Sequence, residues 1–199
     1  MDLDRLQHNL ETAGFTVFRC PTGQDAVDRL TDRFSGKTIG LGGSVTIRDL
    51  GLYDALSAQN TVYWHWITPG PQTMAQAATA QVYLSSVNAA AETGELLNID
   101  GTGNRISAAT AAHETVCYLV GQNKVAPTFD EALWRARNVA APLNARRLAR
   151  KTPCAKGEEL RCYDCKSPER ICNGLSVLWR PLGGVKETIV LLIEEDLGF

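Results

Sequence analysis

The chain has 199 residues, of which 44% are hydrophobic and 21% charged, and this composition predicts one globular domain spanning residues 1–199. Its 20 Lys and Arg residues nearly balance 22 Asp and Glu residues, so the net charge of −2 excludes a general nucleic-acid binder. No apolar run approaches the roughly 20 residues of a membrane span, and the first residues lack a signal-peptide pattern, so we expect a cytoplasmic protein without membrane contacts.

An amphipathic helix is predicted at the start of the chain, because Leu3, Leu6 and Leu10 recur at helical spacing before Gly14. After this helix, a series of short apolar runs predicts strands. These runs are Phe15–Phe18, Thr38–Leu41, Thr61–Ile67, Val82–Leu84, Leu96–Ile99, Val116–Val120, Ser176–Trp179 and Ile189–Ile193.

Helical patterns lie between several of these runs. They cover Asp25–Phe34, Ile47–Ser57, Thr73–Ala80 and Asp130–Arg150, and Pro142 predicts a bend in the last. Alternation of strands and helices predicts an α/β fold with a mainly parallel sheet flanked by helices. In such a sheet, ligands bind at loops that follow the carboxyl ends of strands.

The first candidate loop is Gly40–Thr46, placed directly after a predicted strand and before a predicted helix. Gly42 and Gly43 allow a sharp turn whose N–H groups face an anion, and the Ser44 and Thr46 hydroxyls add donors. The alternative is a tight turn in which Ser44 is only a helix N-cap.

The second candidate is Asn88–Arg105, in which polar groups flank a short apolar strand. Glu92, Asp100 and Arg105 are unusual beside a buried strand unless they are paired or used for binding. Gly101, Gly103 and Asn104 complete the turn, and with Asn88 they make a candidate site for a small acid. The alternative is an ion pair between Asp100 and Arg105 on a glycine-rich turn.

The third candidate is the segment Gly121–Lys124, again directly after a predicted strand. Asn123 is a candidate ligand for the substrate, and Lys124 could neutralise a carboxylate or act as an acid. A solvated lysine on a turn is the alternative. His65 lies on a predicted strand and is interpreted as a core or edge residue, while His113 is expected to be exposed.

With these loops in place, the sequence resembles the LUD domain family, the lactate utilization proteins of the LutC and YkgG type. The matching stretches are Gly42–Thr46, Asn88–Arg105, Val120–Lys124, Ala141–Ala145, Thr152–Cys154, Ser167–Asn173 and Glu194–Gly198. The resemblance implies a Rossmann-like fold similar to ribose-phosphate isomerases and coenzyme A transferases. It also implies a part in the oxidation of lactate or a related hydroxy acid, with other lactate utilization proteins as partners.

The resemblance further singles out Glu92 as a carboxylate with a catalytic role. The segment Ala91–Gly94 is similar to the turn that carries the nucleophilic glutamate of coenzyme A transferases, which makes a thioester an alternative substrate. This chain departs from the usual family pattern by having Ala90 and Ala91, so a hydroxyl is missing before Glu92.

Four of the six cysteines lie in a predicted loop module, residues 151–173. Cys154, Cys162, Cys165 and Cys172 are separated by seven, two and six residues, which suits a zinc site or an iron–sulfur cluster. Two disulfides are the alternative, which a reducing compartment disfavours. Cys20 and Cys117 lie in predicted strands and are interpreted as core residues.

We expect a [4Fe–4S] cluster rather than zinc. The resemblance implies lactate oxidation, in which electrons must leave the substrate, and related lactate utilization proteins carry such clusters. Three functions remain open. The chain is an enzyme or enzyme subunit with Glu92 and Lys124 as catalytic groups, a noncatalytic electron-transfer or assembly module, or a ligand and redox sensor.

Overall fold

The computed structural model describes residues 1–199 and contains ten strands and nine α-helices. The strands are β1 (Thr16–Cys20), β2 (Thr38–Leu41), β3 (Thr61–Tyr63), β4 (Val82–Ser86), β5 (Ala89–Ala91), β6 (Leu96–Asp100), β7 (Thr115–Gly121), β8 (Val125–Ala126), β9 (Gly174–Leu178) and β10 (Glu187–Ile193). The helices are α1 (Leu3–Ala13), α2 (Gly23–Arg33), α3 (Val45–Asp49), α4 (Leu52–Ser57), α5 (Pro71–Ala78), α6 (Asn104–Ala108), α7 (Phe129–Arg135), α8 (Ala141–Arg147) and α9 (Pro153–Lys156). A 3-10 turn spans Gln122–Lys124, and a π-helical turn spans Ala136–Ala140.

Six strands form a parallel sheet in the order β1-β10-β7-β4-β2-β3. All seven residues of β7 are buried, as expected for a central strand that is covered on both faces. Alternate residues of β7 serve different layers: Cys117 and Leu119 pack with α2, α3 and α4, whereas Val116, Tyr118 and Val120 pack toward α1 and α6. The predicted Rossmann-like α/β architecture is confirmed.

A second sheet, in the order β8-β5-β6-β9, was not predicted. It joins the antiparallel pairs β5–β6 and β6–β9 to one parallel pair, β5–β8. Its core against α7, the π-helical turn and α8 is rich in alanine, and the small side chains let these helices approach the strands closely. The alanines are Ala89, Ala91, Ala126, Ala132, Ala136 and Ala141.

Two predicted helices differ in detail from the structure. The one expected over Ile47–Ser57 is split into α3 and α4, because Gly51 adopts a left-handed conformation with φ of 63°. The one expected over Asp130–Arg150 contains the π-helical turn just before Pro142, which has no N–H to donate to the preceding turn.

Two other expectations have clear outcomes. Cys20 and Cys117 are fully buried free thiols in the core, as predicted. The prediction for His113 was wrong, because its ring is buried, stacks on Tyr83 and hydrogen bonds through Nδ1 to the carbonyl of Ala80. No helix is long and apolar enough to cross a bilayer.

Candidate functional site

A cleft opens where three neighbouring parallel strands, β2, β4 and β7, reach their carboxyl ends. The loop after β2 supplies Gly43, Ser44 and Thr46 to its narrow inner part. Ser86 at the end of β4 and Asn88 just beyond it also contribute, and the turn after β7 supplies Lys124. Strand order therefore brings together two of the three loops that the sequence singled out.

The remaining loop, which is the part of the second candidate that follows β6, joins the cleft from the second sheet. Arg105, at the start of α6, lines both the inner part and a wider outer part of about 510 Å³. Asp100, Gly101 and Asn104 line the outer part only. The outer walls also carry Arg147, Arg150 and Arg170, so arginine dominates the charge of the cleft.

Lys124 lies at the inner end of the cleft and is only 3% exposed. Its Nζ donates hydrogen bonds to Oγ1 of Thr46 at 2.8 Å and to Oγ of Ser86 at 2.7 Å. Burial lowers the pKa of Lys124 from 10.5 to about 7, and the charges of Arg135 and Arg105 act in the same direction. The alternative of a solvated lysine on a turn is therefore wrong.

Asp100 holds the turn that presents Arg105. Its carboxylate accepts hydrogen bonds from the backbone N–H groups of Thr102, Gly103 and Arg105 at 3.0–3.2 Å. It also lies 3.4 Å from Nε of Arg105. Burial opposes ionisation of Asp100, but the charge of Arg105 and these N–H groups outweigh it and lower the pKa. Asp100 thus forms the ion pair that the alternative interpretation described, while Arg105 still borders the cleft.

The glycine-rich turn after β2 is shaped by close approaches. A Cβ on Gly43 would lie 3.2–3.3 Å from Trp66 and His65, and one on Gly42 would lie 3.0 Å from the hydroxyl of Tyr83. Ser44 is the N-cap of α3 and accepts a hydrogen bond from the N–H of Ile47 at 3.3 Å. Ser44 therefore caps the helix and also lines the cleft.

Two asparagines fix the surrounding chain. The Asn88 side-chain oxygen accepts from the N–H of Ile99 at 2.7 Å, which ties the segment between β4 and β5 to β6. The Asn123 oxygen accepts from the N–H of Leu197 at 3.1 Å, which holds the C-terminal segment against the turn after β7. Asn123, Gly42 and Gly103 lie near the cleft without lining it.

Glu92 lies away from the cleft, beneath the first turn of α1. Its Oε1 accepts from the N–H of Asp2 at 2.6 Å, and its Oε2 is 3.6 Å from a guanidinium nitrogen of Arg5. Asn9 donates to the Glu92 carbonyl at 2.7 Å. The side chain is buried by these contacts and borders neither part of the cleft.

Sequence reasoning missed several residues of the cleft wall. His65 and Trp66 line its outer part, because β3 ends at Tyr63 and both residues fall in the following turn. The guanidinium of Arg147 lies 4.9 Å from the Trp66 ring centre and donates to Asn144 at 2.8–3.0 Å. Asn144 and Arg170 had a signal in the sequence, since they belong to the matching stretches Ala141–Ala145 and Ser167–Asn173.

The four cysteines of residues 151–173 line one small cavity next to the cleft. All four are half-buried free thiols. Arg170 donates through Nε to Sγ of Cys172 at 3.1 Å, and Arg137 lies 3.7 Å from Sγ of Cys162. No group of three or more His, Cys, Asp or Glu side chains is arranged to hold a metal ion, so the metal site stays a prediction.

Comparisons with known proteins agree with this fold. No curated protein matches the chain. A solved structure described as a DUF162 family protein from Deinococcus radiodurans is similar, with a TM-score of 0.56, 11% identity, and coverage of 96% of this chain and 95% of that chain. At this identity the likeness shows the fold alone. The model described as "LUD domain" matches residues 3–193. The chain belongs to the LUD domain family.

Proposed function

We propose that this protein binds a small organic acid in the cleft and takes part in the oxidation of lactate or a related hydroxy acid. Family membership suggests a function related to lactate utilization. The observation that carries the proposal is Lys124, a buried amine at the end of a cleft walled by Arg105 and Arg147. Such a site favours a carboxylate, because the arginines are fixed donors for its two oxygens.

The chain's own residues can divide the work between binding and proton transfer. Arg105 and Arg147 would hold the carboxylate at the boundary between the inner and outer cleft. Lys124 would face the hydroxyl group next to the carboxylate in the bound acid. Its pKa of about 7 suits an amine that accepts a proton at neutral pH. Thr46 and Ser86 would orient Nζ through the hydrogen bonds described above.

Oxidation of a hydroxy acid also requires an electron acceptor, and the four-cysteine cavity is the proposed place for one. Cys154, Cys162, Cys165 and Cys172 border the same space, and Arg170 and Arg137 provide hydrogen-bond donors toward sulfur. An iron–sulfur cluster of the [4Fe–4S] type would take up one electron at a time there, so the two electrons of the oxidation would have to pass through it in turn to partner proteins. Zinc, the alternative, would only stabilise the segment.

Arg147→Gln tests the anion site. Titration calorimetry with lactate should give saturable binding to the natural protein and at least about tenfold weaker binding to this variant, because a charged hydrogen bond is worth roughly 1.5–3 kcal/mol. Arg29→Gln is the control, since Arg29 is exposed and lies over Phe18 on another face. Absence of saturable binding, or equal affinity in both variants, would refute the anion site.

Metal analysis of protein purified without oxygen tests the cysteine site. Stoichiometric iron with sulfide and a visible absorption band supports the cluster, and stoichiometric zinc supports the alternative. Cys165→Ser should lose the metal, whereas Cys20→Ala should keep it because Cys20 lies in the core. A natural protein with neither metal would overturn the proposed cofactor.

A ligand-binding redox sensor is the second candidate function. Arg170 favours it, because this side chain borders both the cleft and the cysteine cavity. A sensor binds the acid with an affinity that depends on the state of the cysteines, and shows no turnover with partner proteins present. Turnover of the bound acid would show that the protein is an enzyme and would reject the sensor function.

A further inference from the structure

The hydrogen bonds around Lys124 show which protonation state the site accommodates. Nζ contacts two hydroxyl oxygens, those of Thr46 and Ser86. The single proton of the Ser86 hydroxyl is donated to the carbonyl of Leu119 at 2.6 Å, and that of Thr46 to the carbonyl of Leu197 at 3.3 Å. Because a hydroxyl has only one proton, both oxygens must accept from Nζ.

Lys124 also has no acidic partner. None of the ten ion pairs of the structure includes it. Without a bound anion, an ammonium group would bring a third N–H and a positive charge into a buried site that has no acceptor for it and no ion-paired carboxylate, only the weaker influence of Asp49. A neutral amine has two N–H groups, both satisfied here, and one lone pair. The donor count therefore matches the neutral amine, in agreement with its lowered pKa.

The arginines beside the amine define what could react with it. Arg105 and Arg147 line the same inner cleft as Lys124. A carboxylate held by these arginines places the adjacent carbon of a small acid next to the amine. When that carbon is a carbonyl, as in a 2-oxo acid, it is an electrophile facing a desolvated amine beside cationic groups.

We propose that Lys124 captures 2-oxo acids as a covalent imine. The Nζ lone pair forms a bond to the carbonyl carbon while the carbonyl electrons move to oxygen. Transfer of the two amine protons to that oxygen expels it as water and leaves a carbon–nitrogen double bond. The step is reversible and needs no oxidant or reductant. It rests on the proposed anion site, and its ligand is the two-electron oxidation product of a 2-hydroxy acid.

Reductive trapping tests this inference on the full chain. The protein is incubated at neutral pH with pyruvate and sodium cyanoborohydride, followed by intact mass measurement and peptide mapping. The expected result is one adduct per chain, located at Lys124 and suppressed by excess lactate. Lactate alone should give no adduct, because it has no carbonyl at that carbon. Mapping on the natural sequence locates the adduct without depending on the folding of a variant.

Two lysine variants sharpen the assignment. Lys124→Met should abolish trapping, and Lys186→Met should leave it unchanged, because Lys186 is exposed and outside the cleft. If lactate or pyruvate binds in calorimetry but incubation with pyruvate and cyanoborohydride gives no adduct at Lys124, the imine is overturned and the anion site is left intact. Equal labelling of exposed lysines such as Lys186 would also overturn it. Absence of both binding and adduct would refute the anion site and the imine together.

Discussion

Burial of Lys124 makes the stability of the protein depend on pH above neutrality. Its pKa is about 7 in the fold, against 10.5 for the ordinary group, so the folded pKa is depressed. Between these values the unfolded chain holds a proton that the folded chain lacks. Each pH unit in that window therefore adds about 1.4 kcal/mol to the free energy of unfolding.

Lys124→Met should remove this dependence. The variant has no ionisable group at this position. Its free energy of unfolding minus that of the natural protein should therefore be greatest below about pH 7, and this difference should fall by up to about 4 kcal/mol toward about pH 10. Urea denaturation of both proteins at several pH values measures the difference. Lys186→Met, which changes an exposed lysine, should show a constant difference. A pH-independent difference for Lys124→Met would mean that the amine stays charged in the fold.

Glu92→Ala should weaken the attachment of α1 without affecting the cleft. The buried carboxylate accepts from the N–H of Asp2 and lies near the exposed guanidinium of Arg5, and both groups would lose this charged partner. We expect a loss of about 1–3 kcal/mol in the free energy of unfolding, faster amide exchange in α1, and unchanged affinity for lactate.

Glu11→Ala is the matched control for that prediction. Glu11 is an exposed glutamate on the same helix and contacts only Gln7 through its side chain, so its replacement should change stability by less than about 0.5 kcal/mol. Loss of lactate turnover in a stably folded Glu92→Ala protein would show that Glu92 acts in catalysis, as its resemblance to the coenzyme A transferase turn implied.

Among the elements, β2 and α5 meet at a contact that only glycine allows. A Cβ on Gly40 would lie 2.3 Å from the carbonyl oxygen of Ala77 and 2.8 Å from its Cα. Because both are backbone atoms, Gly40→Ala must push α5 away from the sheet. We expect it to cost about 3 kcal/mol, measured by thermal or urea unfolding.

Gly183→Ala provides the comparison, because a Cβ at Gly183 would meet no atom within 4 Å. This variant should be neutral or slightly more stable, since alanine reduces the freedom of the unfolded chain. Equal stability of the two alanine variants would mean that α5 moves freely relative to β2.

The elements that could be predicted from sequence are those with a strong apolar pattern. The strands β2, β7 and β10 are apolar runs, and the predictions place them within two residues of their observed ends. Strand β5 could not be predicted, because Ala89–Ala91 has neither β-branched nor aromatic side chains. It forms because its small side chains let α7 pack closely on the sheet, which is a tertiary effect.

The same limit applies to the cleft. In the predicted strand Thr61–Ile67, alternation would place Trp64 and Trp66 on the face opposite His65, but β3 ends at Tyr63 and alternation does not extend beyond it. His65 and Trp66 therefore both reach the cleft, while Trp64 is buried and stacks on Trp66. A strand end set by tertiary contacts decided which residues line the site.

For the molecule as a whole, the sequence could locate the side of the cleft formed at the carboxyl ends of the parallel strands. It could not locate the opposite wall, which α8 supplies. Ser44 and Lys124 follow strands, and their convergence is a consequence of parallel topology. Arg147 comes from α8, whose position depends on the alanine-rich second sheet. Glu92 belongs to a matching sequence stretch, yet the hairpin of β5 and β6 turns it toward α1.

The cysteine segment and the cleft share a wall, which couples the two candidate sites. Arg170 and Ile171 border both cavities. Arg170 is held by the segment itself, since it donates to the carbonyls of Cys165 and Cys172 at 3.0 Å. A change in the cysteine cavity should therefore move a cation of the cleft.

Arg170→Gln should disturb both cavities at once. Loss of the cation should weaken lactate binding by about three- to tenfold, and loss of the contacts to the segment should accelerate alkylation of Cys165 and Cys172. Calorimetry and mass-resolved thiol alkylation measure the two effects. Arg161→Gln is the control, because Arg161 belongs to the same segment but is exposed and pairs with Glu159. If thiol alkylation accelerates while lactate affinity is unchanged, the shared wall does not transmit the state of the cysteines to the cleft, and the sensor function loses its structural basis.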